Sequence, residues 1–176
     1  MYNSRMELYS LSATITVSSQ LVVNDLDVLK KNGVDILVCN RPDNESPEQP
    51  RFENIATAAK HMGITPINIS FKPDNQTEQD VIAFEKILNS NKNVHAFCRT
   101  GNRSITLWAA ASVRTGSCPN QILKITKTYG INPLNAIMPY LKNSSFEIFR
   151  VYLRCLIPLK NFSMKPSSDL RLFASV

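Results

Sequence analysis

The sequence predicts a single α/β domain, a sheet of about four to five mostly parallel strands flanked by helices. Short apolar runs, Ile36–Cys39, Ile64–Phe71 and Val94–Phe97, alternate with longer segments whose apolar residues recur at helical spacing. A helix between successive strands favours parallel pairing through a crossover. A length of 176 residues suits one domain with a real core.

Each element follows in order. Thr14–Val17 alternates β-branched residues and reads as a strand, and Ser18-Ser19-Gln20 as a turn. Asn24 is the expected N-cap of a helix through Lys31, with Val22, Leu26 and Leu29 on one side and Gly33 as its stop. Asp35–Asn40 is a buried strand. Asn40-Arg41-Pro42-Asp43 follows at its C-terminal end, the edge where open α/β sheets bind ligands. Arg41 and Asp43 are therefore candidates for supporting a site, set against an ordinary Pro-Asp turn. Asn44–Pro50 is a polar loop. Arg51–Met62 is helical, with Phe52, Ile55, Ala59 and Met62 on one face, and His61 near its end suits the helix dipole better than catalysis.

Ile64–Phe71 is the next strand, and Lys72-Pro73-Asp74-Asn75 a turn after it. Thr77 and Asp80 make a capping-box-like start to a helix through Leu88. The strand Val94–Phe97 comes next. By alternation, His95 and Phe97 share one side of it and Ala96 the other, so His95 is expected to be a core or site-supporting histidine. Beyond Ser104, helices are expected over Ser104–Thr115, Pro119–Tyr129 and Pro133–Leu141, with Trp108 in the core.

The stretch that carries chemistry is Cys98-Arg99-Thr100-Gly101-Asn102-Arg103-Ser104, a polar loop between a strand and a helix. Backbone N–H groups of such a loop converge on its centre, and the helix N-terminus adds a positive field. A thiol at that centre gives up its proton readily and becomes a nucleophile. Arg99 and Arg103 add fixed charge and forked donors for an oxyanion. A cysteine taken at random is a small core residue, and that reading stays with Cys39, Cys118 and Cys155.

Four residues separate Cys98 from Arg103. Cysteine phosphatases place five residues there, whereas rhodaneses often use the shorter loop, which this one resembles. Val17-Ser18-Ser19-Gln20, Asn40-Arg41-Pro42-Asp43 and the cysteine loop followed by Leu107-Trp108-Ala109 occur in that order. Together they resemble the beta-lactamase hydrolase-like, phosphatase-like family, over roughly Leu8 to Leu141. Ser19 departs from the Gly that the family commonly has there. The resemblance implies a dual-specificity-phosphatase-like fold and a cysteine-phosphatase-like sheet, in a family labelled both phosphatase and sulfurtransferase. It also implies a general acid after the Ile64–Phe71 strand, where Asp74 stands; the competing reading is a plain Pro-Asp-Asn turn. Some members fuse this domain to a metallo-β-lactamase-like persulfide dioxygenase, and nothing after Leu141 resembles that partner.

Composition narrows the rest. Two histidines and no Cys-x-x-Cys pair argue against a zinc site, and no metal or organic cofactor is expected. The four cysteines lack paired spacing and do not suggest a disulfide framework, which with a reactive thiol points to the cytoplasm. The net charge of +6 is uneven: residues 142–176 hold six basic and two acidic residues, so the first 141 are nearly balanced and nucleic acid is not an expected partner. The chain divides into a catalytic domain, 8–141, and a basic, partly apolar extension, 142–176. For Phe146–Leu159 docking on the domain is the default, with a dimer contact or a membrane-surface contact as alternatives. The sequence does not set the oligomeric state.

The loop length ranks a sulfurtransferase first. Cys98 takes sulfane sulfur from a small anionic donor, thiosulfate or a persulfide, and passes it to a thiol acceptor. Arg99, Thr100, Gly101, Asn102, Arg103 and Ser104 form the anion cradle, with Asp43 near it. The alternative is a phosphatase in which Cys98 attacks phosphorus, Arg103 clamps the oxygens and Asp74 protonates the leaving group. A binding module with an inert loop ranks last.

Overall fold

The computed structural model describes residues 8–141. The strands are β1 (Leu8–Ser10), β2 (Ile15–Ser18), β3 (Ile36–Cys39), β4 (Thr65–Asn68) and β5 (Val94–Phe97). The helices are α1 (Leu26–Lys31), α2 (Phe52–His61), α3 (Glu78–Leu88), α4 (Asn102–Arg114), α5 (Pro119–Lys127) and α6 (Leu134–Leu141). The sheet order is β1-β2-β5-β3-β4. β1 runs antiparallel to β2, and every other pair is parallel. This is the expected α/β architecture with a mostly parallel sheet.

Register positions the site. Phe97 of the central strand lies opposite Ser18 on one side and Cys39 on the other. Asn68 lies opposite Cys39 in turn. Four parallel strands therefore end level, and their following loops share one edge.

Side-chain alternation divides the core between the two faces. Ile15, Val17, Val38, Val94 and Ala96 pack with Val81, Phe84, Ile105, Leu107, Ile122 and Ile137 on one face. Leu37, Cys39 and Phe97 pack with Leu21, Leu26, Leu29, Ile55 and Ala59 on the other. His95 is buried on the Phe97 side, as alternation predicts. α4 is buried almost throughout from Ser104 to Val113, and Ala109, Ala110 and Ala111 let α3, α5 and α6 crowd it. Truncating one of the large side chains here, Phe84 or Leu107, costs about 2–5 kcal/mol.

The departures have local causes. β1 has only three residues, too few to show alternation. β4 is shorter than the expected Ile64–Phe71 and contains Pro66, which a sheet tolerates because β4 is an edge strand. Asn24 does not cap α1: it lies in a 3-10 turn, Val23–Asp25, and Asp25 accepts the Val22 N–H at 2.8 Å. α4 begins at Asn102, two residues before Ser104, because Gly101 turns the chain straight into the helix. The Thr77–Asp80 capping box forms as expected. Cys118, read from the sequence as a small core residue, is buried and disulfide-bonded; spacing alone does not report pairing. The expectations for residues 142–176 lie outside the described residues. Among the described residues no helix is long and apolar enough to cross a membrane.

Candidate active site

Cys98 is the first residue after β5 and is 1% exposed. The Gly101 N–H donates to its Sγ at 3.1 Å. Gly101 has φ 91°, and a Cβ there would stand 3.1 Å from the Tyr9 ring and 3.5 Å from the Ser18 carbonyl oxygen. Both the backbone conformation and the space therefore call for glycine. Asn102 opens α4, so the unpaired N–H groups of that helix's first turn belong to the loop. Arg99, Thr100 and Asn102 are exposed. Ser104 is buried, and its hydroxyl has no hydrogen-bond partner.

Arg103 is held by a carboxylate that the sequence did not single out. Its Nη1 and Nη2 donate to the two carboxylate oxygens of Glu45 at 2.7 and 2.8 Å, and Nη1 also donates to the Phe71 carbonyl at 2.9 Å. Burial alone would lower the pKa of Arg103, but the hydrogen bond and charge of Glu45, with the Cys98 side chain close by, hold it above its ordinary value. The Arg103 bond in turn holds the Glu45 carboxyl below its ordinary range, against a smaller opposing effect of burial. Glu45 also accepts from Arg41 Nε at 2.9 Å.

Arg41 is 3% exposed and engaged at all three guanidinium nitrogens: beside the Nε bond to Glu45, Nη1 donates to Gln20 Oε1 at 2.7 Å and Nη2 to Ser46 Oγ at 3.0 Å. The Gln20 N–H reaches the Arg99 carbonyl at 3.3 Å. A polar chain thus leaves the cysteine loop at Arg99, passes through Gln20, Arg41 and Glu45, and returns to it at Arg103. Asn40 holds the same edge together, with its N–H on the Phe97 carbonyl at 2.8 Å and its Nδ2 on the Ile69 carbonyl at 2.8 Å.

His95, three residues before Cys98, joins β5 to β2. Its Nδ1 lies 2.9 Å from Thr16 Oγ1 and its Nε2 2.9 Å from Ser18 Oγ. Ser18 Oγ donates to the Ser19 carbonyl at 2.8 Å, which leaves it to accept from the ring. Thr16 Oγ1 also reaches the Val94 carbonyl, but at 3.4 Å, so the shorter Ser18 bond favours the proton on Nε2, with Nδ1 accepting from Thr16. Burial pushes the His95 pKa down to about 3, so the ring is neutral and acts as a strut.

The two carboxylates proposed from the sequence part company. Asp43 Oδ1 accepts the Phe52 N–H at 2.9 Å, so it caps α2, and no described contact joins it to the cysteine loop. Asp74 is exposed, with φ 64°, in a turn closed by the Asn75 N–H on the Lys72 carbonyl at 3.1 Å. Its loop reaches the site through Phe71, whose carbonyl binds Arg103, and no described contact joins the Asp74 carboxylate to Cys98.

Glu45 escaped the sequence reading. Its separation of four from Arg41 was visible, but its bond to Arg103 spans 58 positions and leaves no local pattern. Gln20 was noted in a motif without a role.

Comparison with known proteins agrees with this geometry. Residues 7–115 match the family described as beta-lactamase hydrolase-like protein, phosphatase-like domain. Two Xylella fastidiosa proteins named beta-lactamase hydrolase-like protein, from strains Temecula1 and 9a5c, are 23% identical over 148 residues and 25% identical over 112 residues. These alignments take in 83% and 63% of this chain but only 34% and 26% of the relatives, so the chain spans about a third of their length or less. A candidate phosphatase from Neisseria meningitidis Z2491 superposes with a TM-score of 0.64 at 26% identity, over 75% of this chain and 94% of that one. Kinase associated phosphatase, solved with its catalytic-site cysteine replaced by serine, superposes with a TM-score of 0.62 over 87% and 97% of the two chains; its 14% identity speaks to the fold alone. With the motif order, the sheet and the cysteine loop all in place, the chain belongs to the beta-lactamase hydrolase-like, phosphatase-like domain family.

Proposed function

We propose that the chain is a cysteine-dependent, phosphatase-type hydrolase acting on phosphate monoesters. One observation carries the reading: a buried Cys98 thiol takes a hydrogen bond from the Gly101 N–H at the N-terminus of α4, with Arg103 held beside it. The family match and the phosphatase fold neighbours support phosphoryl chemistry, and they reverse the order suggested by loop length.

Cys98 thiolate attacks phosphorus, and the bond from phosphorus to the leaving oxygen breaks. Asp74 gives its proton to that oxygen. Loop amides and Arg103 neutralise charge on the three equatorial oxygens. Water then attacks the phosphocysteine, Asp74 takes a water proton, and the sulfur–phosphorus bond breaks to release phosphate.

Sulfur transfer stays as the second reading on one observation, the four-residue spacing from Cys98 to Arg103, which suits a smaller group than phosphoryl. One preparation tests both. Aryl phosphate hydrolysis lost in Cys98→Ser supports the first. Thiosulfate treatment that adds about 32 Da to Cys98, one sulfur atom, without phosphate hydrolysis supports the second. Turnover that persists in Cys98→Ser removes both.

A further inference from the structure

We propose that Glu45 is a positioning residue for oxyanion binding: braced by Arg41, it takes the outer fork of Arg103 and so presents the inner edge of that guanidinium to an anion at Cys98. This rests on reading the Cys98 loop as an oxyanion cradle, and it adds a component that the cysteine motif does not contain.

The donor count makes the case. A guanidinium has five N–H groups in a fixed plane. Glu45 takes one on Nη1 and one on Nη2, and the Phe71 carbonyl takes the second on Nη1. The Nε–H and one Nη2 hydrogen remain, and they lie along the same edge of the plane. Three fixed acceptors leave the guanidinium one orientation. That edge offers a single two-pronged grip, while the adjacent Nη1/Nη2 edge is neutralised by a carboxylate. An arginine without such a brace loses rotamer freedom each time it grips an anion; here that ordering is already complete.

Glu45 is itself prevented from turning inward. Arg41 Nε binds the same Oε2 that binds Arg103 Nη2. Arg41 is anchored by Gln20 and Ser46, and its side chain is only 3% exposed. Glu45, 21% exposed, therefore sits between two cations and balances one of them, leaving the other charge for the ligand. A surface ion pair contributes little to stability. A bidentate pair with one partner in the cysteine loop mainly fixes direction.

The test uses the full chain and inorganic phosphate as the probe. Cys98 is alkylated with iodoacetamide at rising phosphate concentrations in wild type, Glu45→Gln and Glu45→Asp. Gln keeps the shape but offers one acceptor, and its amide N–H groups oppose Nη2. Glu45→Gln is expected to need about ten times more phosphate for half-protection, a typical consequence of losing a charge-assisted fork. Its alkylation rate without phosphate should change less than its phosphate protection, because the Gly101 N–H contact to sulfur does not involve Glu45. Glu45→Asp should recover part of the loss. Arg41→Lys, which keeps the charge but not the bonds to Gln20 and Ser46, should shift protection in the same direction and serves if Glu45→Gln does not fold. Wild-type protection that is unchanged in Glu45→Gln overturns the inference and spares the cradle. Equal changes in bare alkylation and in phosphate protection also overturn it, since Glu45 would then only hold the fold. Absence of phosphate protection in wild type overturns the cradle, and the inference with it.

Discussion

The Gly101 N–H meets the Cys98 sulfur at 3.1 Å from a backbone with φ 91°, a conformation that side chains other than hydrogen strain to reach. Gly101→Ala would place a methyl 3.1 Å from the Tyr9 ring. The variant is expected to lose about 1–3 kcal/mol of stability. It should also lose most of the reactivity of Cys98, because relief of the strain moves the N–H off sulfur. Denaturant melts and iodoacetamide labelling rates measure the two effects, and a variant with unchanged labelling would detach the glycine from the chemistry.

Cys39 ends β3 and Cys98 follows the neighbouring β5, yet of the two only Cys98 should react in the folded protein. The Gly101 N–H meets Cys98 and not Cys39, and burial pushes the Cys39 thiol up to about 12 from 9.0. The folded state therefore keeps a proton that the unfolded chain loses above pH 9, so stability falls as pH rises from about 9 toward 12. The slope from this group is about 1.4 kcal/mol per pH unit at most. Cys39→Ala should melt more gradually with alkali than wild type, cost about 1–2 kcal/mol at neutral pH, and retain turnover. Parallel alkaline profiles for the two proteins would show that Cys39 is not the group involved.

His95 works in the opposite direction. Its folded pKa of about 3 lies below the unfolded value of 6.5, so the unfolded chain binds a proton first as pH falls. Stability from the neutral ring is complete above 6.5 and declines between 6.5 and 3, by about 1.4 kcal/mol per pH unit at most. His95→Gln, which cannot charge, should be less stable at pH 7 but show a shallower acid limb in urea melts taken at pH 7, 5.5 and 4.5. An equally steep limb would assign acid sensitivity to the carboxylates.

Asp74 offers a clean separation of stability from chemistry, because its side chain is exposed and Asn tolerates the same positive φ. Asp74→Asn should change the melting midpoint little. As the general acid it should lower kcat by about 10²–10⁴ for alkyl phosphates, with a smaller effect for nitrophenyl phosphate, whose leaving group needs no proton. Equal kcat for both substrates in variant and wild type would remove Asp74 from the mechanism.

Much of this was legible in residues whose partners are near in sequence. Ile36–Cys39 and Val94–Phe97 were placed correctly because an apolar run of four between polar loops has one sensible reading. Thr77 and Asp80 announced the start of α3 from three positions apart. The cysteine loop was visible for the same reason. Asp43 misled because the end of a strand is a good place for a site and also for a helix cap, and only the position of the Phe52 N–H decides between them. Glu45 and Gln20 stayed hidden because each bonds across loops that the sheet, and not the sequence, brings together.

The central position of β5 also bears on how the molecule forms. β3 and β4 can pair around α2 as soon as Asn68 is made, but β2 has no parallel neighbour until Val94–Phe97 exists. The last strand in sequence must be inserted between two that precede it, with contacts reaching back 79 positions, as from His95 to Thr16. Such insertion closes large loops late and slows folding. A nascent chain that ends before Phe97 carries open hydrogen-bonding edges on both β2 and β3, the surfaces most prone to pairing with another copy. The step that completes the sheet also delivers the nucleophile, so a chain that stalls there is at once inactive and aggregation-prone.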